Sequence, residues 1–501
     1  MFGYLKRLVK AGVAYQTGDI LSKGVAVFTL PLYTHYVNAS GYGYVETLLT
    51  AVILLSILLR LGVGEAFIRF YYDDADVARR DLIASGAVAF VFVTTTIAAL
   101  AGVIFAGTLS RALLGVHNPV LFDFAMLGVW GFTNLEIAYA LLRADERTGT
   151  YMRASVVNVV ITISLTIYLV VGRHDGARGL LAGNYTASTL VLVGLWWVER
   201  RRLLAPLRAR LGASALSARA RAALPMRAML GFGLPTVPAD ASVYALQVVD
   251  RWYLLRAQSA AAAGLYALAA KLATVVFVAV RGFQYAWPPL AYSVTDDDVA
   301  ARLYALVTTY YVLATGVVVA GVALLWRWAV RLLLYHDYGA HDALPWLALG
   351  WALYGLYLIF VVISGRARQT RRNLPAALVG LAVNVAGLFL LVPVLGISGA
   401  GIALVIAYAA MILVIYWLTR SVFSVGFEWQ RLGRLLAVLI GISVAGELVL
   451  PTHGAAGFLL RGLAWCAIFP LLRMAGFFSA AELARIAALV ARILGQRRRT
   501  V

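Results

Sequence analysis

Eleven ionisable side chains stand inside stretches that are otherwise apolar: Asp19, Lys23, Glu46, Arg60, Glu65, Glu136, Asp240, Asp250, Arg251, Lys271 and Arg281. In a bilayer such a group is costly and faces a cavity or an opposite charge, so each is a candidate for chemistry. Asp19 and Arg60 flank a turn near residue 39 or 40, each about 20 residues from it, which at 1.5 Å per residue sets them at one depth. Asp240 and Arg281 flank a turn near 260 in the same way. Each set predicts either an ion pair bracing a helical hairpin or an arginine that receives an anionic headgroup. Lys23 and Lys271 are candidates to meet a diphosphate, whose oxygens accept charge-assisted bonds. Lys23 has Asp19 as an alternative partner one turn away, and Lys271 has Glu46 or Asp250. Glu46 reads as a pairing group or an ion-coupling site, while Asp250 and Arg251 are expected near the outer surface.

The elements that must hold these groups are membrane helices. Apolar runs occupy 12–36, 42–68, 81–107, 119–142, 151–172, 178–199, 228–254, 262–290, 302–326, 343–364, 374–394, 398–419, 432–450 and 456–476, and 62% of all residues are hydrophobic. Roughly 20 apolar residues cross a hydrocarbon core of about 30 Å. The expected fold is therefore an all-α polytopic membrane protein of about fourteen spans. A single cysteine, Cys466, excludes a disulfide framework, and the six scattered His carry no ligand spacing, so no metal and no cofactor is expected. The apolar run behind Lys6, Arg7 and Lys10 is too long for a cleaved leader.

A net charge of +20 would suit nucleic acid, yet the cations sit in short loops. Alternate loops, including both termini and the segment 365–373, hold about 31 of the 43 Lys and Arg. The other set, with Arg111, Arg173, Arg178, Arg256, Arg327 and Arg331, holds about six. That split predicts both termini on the cytoplasmic side and no nucleic-acid partner. The connector 201–227 and the tail 477–501 read as amphipathic helices on the inner membrane surface. In the tail, Ser479 and Glu482 have capping-box spacing. Tyr33, Tyr36, Tyr42, Tyr44, Tyr253 and Tyr266 read as interfacial belt residues, and Gly62, Gly64, Pro235 and Pro238 as places where helices bend.

The chain also repeats itself weakly. At a shift of 221, Asp19 falls on Asp240, Gly43 on Gly264 and Arg60 on Arg281; at 223, Gly176 falls on Gly399 and Tyr185 on Tyr408. Six spans separate the copies, so both enter the membrane from the same side, with a substrate site where two bundles face each other. The expected organisation is one six-helix lobe at 1–200, the connector, a second lobe at 228–420, two further spans at 421–476, and the tail.

The opening segment GDILSKGVAVFTLPLYTHYVNASGYGYVETLL, followed by RLGVGEAFIRFYYDD, resembles the Wzx-type oligosaccharide flippases of the multidrug/oligosaccharidyl-lipid/polysaccharide (MOP) exporter superfamily. The resemblance implies a multi-pass protein of the bacterial inner membrane. Such a protein moves an undecaprenyl-pyrophosphate-linked oligosaccharide to the outer leaflet by alternating access through a cationic central cavity. It also implies membrane lipids, and other polysaccharide-assembly membrane proteins, as partners. A lipid II flippase or a multidrug exporter of the same superfamily is the alternative. A membrane enzyme is disfavoured, because the longest outer loop, 327–342, is too short for a catalytic insert.

Overall fold

The computed structural model describes residues 29–72, 77–145, 147–203, 226–235, 237–294, 296–333, 343–366, 372–479 and 482. Every regular element among them is a helix. In chain order these are α1 (Leu30–Tyr36), α2 (Ala39–Arg60), α3 (Val63–Tyr72), α4 (Val77–Ile104), α5 (Ala106–Leu114) and α6 (Pro119–Ala144). Next come α7 (Thr148–Ile167, closed by a π turn at Tyr168–Gly172), α8 (Gly176–Leu203), α9 (Met226–Gly233), α10 (Val237–Ala257), α11 (Ala260–Leu272) and α12 (Thr274–Ser293). The last are α13 (Asp297–Leu333), α14 (Leu344–Arg366), α15 (Asn373–Thr419), α16 (Trp429–Val449), α17 (Gly454–Cys466) and α18 (Ile468–Met474). Ten helices among the described residues are long and apolar enough to cross a membrane. The chain is an all-α polytopic membrane protein.

Several predicted spans are divided. The run 42–68 breaks at Leu61 and Gly62, both at positive φ, into α2 and α3. The run 228–254 becomes α9 and α10, separated beside Pro235, and 262–290 becomes α11 and α12, which meet at Ala273. Proline and glycine supply the first two breaks by removing a donor or admitting a left-handed turn. The 47-residue α15 is two limbs that reverse at Gly396, φ 58°. A Cβ on Gly387 would sit 2.8 Å from that of Ala403, so the limbs pack back to back.

Helices α2, α4, α7 and α8 pack around α6, and α12, α13 and α15 pack around α14. The two groups join where α2 lies against α10 and α11. Both joints are built from glycine. A Cβ on Gly43 would overlap the Ala260 carbonyl, and one on Gly264 would overlap the Ala39 carbonyl. Gly62 and Gly233 likewise meet main chain to main chain. Nineteen residues separate Gly43 from Gly62, about 28 Å along a helix axis, so the joints stand roughly one hydrocarbon core apart.

Charge clusters fix the periphery. Arg202, at the end of α8, bonds Asp145 (2.6 Å), the Tyr71 hydroxyl (2.8 Å) and Asp81, tying α8 to α6, α3 and α4. Arg461 on α17 is fully buried and donates to Glu447 (2.9 Å) and to the carbonyls of Pro451 (3.0 Å) and Leu450 (3.1 Å). Glu447 also accepts from Arg327 of α13 (2.9 Å), which fastens the α16–α17 hairpin to the bundle. A buried arginine with its donors satisfied is tolerated where an unpaired one would cost several kcal/mol. The capping box forms as predicted: the Ser479 N–H donates to Glu482 (2.7 Å), and the Glu482 N–H donates back to the Ser479 hydroxyl (3.3 Å). Residues 204–225 of the connector and the tail beyond Glu482 lie outside the described residues, so the expectation of amphipathic surface helices there concerns residues the structure does not describe.

Candidate functional site

Between the two glycine joints lies a cavity of about 760 Å³. Helix α2 lines it with Glu46, Leu49, Thr50, Ile53 and Ile57, a stripe at helical spacing. Facing it, α10 contributes Asp240, Tyr244, Gln247, Asp250 and Arg251, again at three- and four-residue steps. Helix α14 adds an aromatic wall of Trp351, Tyr354 and Tyr357. This is the size range of a ligand pocket, and its polar groups converge from several elements.

An ionic cluster spans the cavity. Glu46 of α2 holds Lys271 of α11 at 2.6 Å and stands 4.0 Å from Arg251 of α10. The Lys271 ammonium also lies 4.9 Å from the centre of the Tyr42 ring. Glu46 is almost fully buried, whereas the Lys271 side chain keeps 29% of its surface exposed toward the cavity. One carboxylate therefore faces two cations, and the cluster keeps a net positive charge. Such a pair is costly to break from one side only, because the survivor is left charged in a dry site.

A second cluster is built on Asp250, which is fully buried. It accepts from the Tyr266 hydroxyl (2.7 Å) and from the Asn384 amide (2.7 Å), and Asn384 also approaches the Leu246 carbonyl (3.4 Å). Among the described residues no cation lies within ion-pair distance of Asp250. Two expectations are corrected here. Asp250 and Arg251 are not near a surface but in the cavity wall. Tyr42 and Tyr266, at 1% and 3% exposure, are interior groups rather than belt residues.

The other predicted residues divide. Lys271 and Glu46 meet, one of the two pairings open to Lys271. Asp240 lines the cavity, and Arg281 lies on the neighbouring α12. Arg60 ends α2, donates to the carbonyl of Ser56 (3.2 Å) and stands outside the cavity lining. Asp19 and Lys23 lie outside the described residues. Asn384, Gln247 and Asn184 were not singled out in the sequence. Their signal was available: one strongly polar side chain on an otherwise apolar helix face, which in a membrane points inward.

Comparison with known proteins places this geometry. The family described as Polysaccharide biosynthesis protein matches residues 8–290. A relative from Haemophilus influenzae, "Lsg locus putative protein 1", is 23% identical over 292 residues, which span 57% of this chain and 66% of that protein. The match thus covers slightly under two thirds of that relative's length. In overall fold the chain is similar to a lipid II flippase, MurJ, in an inward closed conformation, with a TM-score of 0.72 at 13% identity over 92% of this chain and 98% of that one. It is also similar to an inward-facing multidrug resistance MATE family transporter of the MOP superfamily, with a TM-score of 0.60 at 15% identity over 80% and 93% of the two chains. At these identities the likeness is one of fold.

Proposed function

Because this chain belongs to the polysaccharide biosynthesis protein family, we propose that it is a flippase moving an undecaprenyl-pyrophosphate-linked oligosaccharide from the inner to the outer leaflet of the bacterial inner membrane. The observation that supports this reading is the cavity between the glycine joints, whose lining includes Lys271 and Arg251 together with an aromatic wall. Cations answer the diphosphate, and tyrosine and tryptophan faces suit sugar rings. In this reading Glu46 is the resident counter-ion. The phosphate oxygens compete with it for Lys271 and Arg251, and winning that competition loosens α2 from α10 and α11. The two halves then rock about the cavity, with both termini cytoplasmic.

One observation favours a second reading, a multidrug exporter of the same superfamily. Three carboxylates, Glu46, Asp240 and Asp250, lie in the lining. Two of them are committed, however, Glu46 to Lys271 and Asp250 to Tyr266 and Asn384. We therefore retain the anionic-lipid reading.

The test is flipping of a labelled lipid-linked glycan by proteoliposomes. Lys271→Ala alone leaves Glu46 with only the longer cationic contact to Arg251 and is expected to destabilise the protein, so the informative variant is Lys271→Met with Glu46→Gln. It removes the Lys271–Glu46 pair together, the less costly change for folding, and leaves Arg251 as the one cation of the cluster. Flipping should be lost while the protein stays monodisperse. Full flipping in that double variant would sink the cationic assignment.

A further inference from the structure

A second cavity, of about 200 Å³, opens beside the first and shares Leu49, Asn184 and Lys271 with it. Its wall differs in kind. Asn158, Thr162 and Thr166 recur every fourth residue along α7, a polar stripe on one face of a membrane helix. Tyr33 and Asn184 complete the polar lining. The amide oxygen of Asn158 is buried and has no hydrogen-bond partner. That oxygen is shielded from solvent, so a donor in the cavity reaches it only when the amide turns toward the lumen. Among the described lining residues there is no carboxylate, and Lys271, at the shared mouth, is the one cation.

We propose that this side cavity is a subsite for the sugar ring bonded directly to the diphosphate, and that the ring is uncharged. The inference rests on the flippase reading above. A phosphate seated on Lys271 stands at the mouth of the side cavity, and the group bonded to that phosphate is the first sugar. The volume, about 200 Å³, is of the order of one hexose ring. Hydroxyl and amide groups from α7 and α8 match a ring that bears hydroxyl or acetamido groups. A uronic acid there would bring a carboxylate into a wall whose one described cation is already taken by the phosphate. Water is the competing occupant, since about 200 Å³ corresponds to roughly six or seven molecules at about 30 Å³ each.

The experiment uses the full chain in nanodiscs and three lipids: undecaprenyl diphosphate, the same lipid bearing one neutral hexose, and the same lipid bearing one uronic acid. The neutral sugar is expected to tighten binding at least tenfold over the sugar-free lipid, and the uronic acid to add nothing. Asn158→Leu should abolish the increment. Thr162→Val, which removes only a hydroxyl and should fold normally, should reduce it several-fold. An equal affinity of the wild type for all three lipids overturns the subsite and leaves the flippase reading standing, as does an increment undiminished in both variants. An increment for the uronic acid as large as for the hexose overturns the claim of an uncharged ring. A wild type that binds none of the three overturns the flippase reading and the subsite together.

Discussion

At the scale of single residues, the chemistry is a matter of which charges are already spoken for. Lys271 was legible as a candidate from its type and depth alone, and Glu46 was one of its two open partners. Sequence spacing within one helix cannot choose between partners on two others, so the pairing waited for the packing of α2 against α11. Asp250 was misjudged for a related reason. Whether its side chain faces the interior or the surface depends on helix rotation, which the neighbouring apolar residues leave undetermined. Its hydrogen bonds make a prediction. Asn384→Leu should remove one of the two hydrogen bonds to a fully buried carboxylate and cost about 1–3 kcal/mol, read as a lower midpoint of thermal unfolding in detergent. Tyr266→Phe removes the other bond and should cost a similar amount. If the two changes together are no worse than either alone, the cluster does not act as drawn.

At the scale of elements, the positions of the spans were legible almost throughout, because a long apolar run has few other uses. Their interruptions were less so. Gly62 and Pro235 were recognised as bends, whereas nothing in the composition of 262–290 marks the break at Ala273. Packing supplies the rest. Gly43→Ala or Gly264→Ala drives a methyl group into the facing carbonyl, and each should cost about 1–3 kcal/mol or more, measurable as a lowered unfolding temperature. The tail offers a pH test. Burial would raise the Glu482 carboxyl, but the Ser479 N–H, the Tyr310 hydroxyl and Arg431 outweigh it and hold the group at about 2, below its ordinary 4.5. A depressed carboxylate stabilises its docked form above its ordinary value and loses that contribution as pH falls through the depressed one. Docking of the tail start onto Tyr310 and Arg431 should therefore be complete above pH 4.5 and fade as pH falls from 4.5 toward 2. Limited proteolysis after residue 479 reads the change. Glu482→Gln should be cleaved readily at every pH, and protection equal to wild type would remove this anchor.

At the scale of the whole molecule, the charge split between alternate loops was the sequence's firmest statement about orientation. It predicts that a fluorescent protein fused after Val501 will be bright, and that a periplasmic phosphatase fused there will be inactive. The faint repeat at a shift of 221 said more about architecture than its few matches suggested. Gly43 and Gly264, paired by that shift, touch each other, and Ala39 and Ala260, paired by the same shift, each present a carbonyl to the opposite glycine. A contact in which each pairing recurs with the two copies exchanged is the kind two identical subunits make about a two-fold axis. That end of the molecule is thus closed as a homodimer would be closed, although a single chain supplies both sides. Gly43→Ala and Gly264→Ala therefore strike one seam from its two opposite sides, and each pushes a methyl group into the carbonyl that the other side presents.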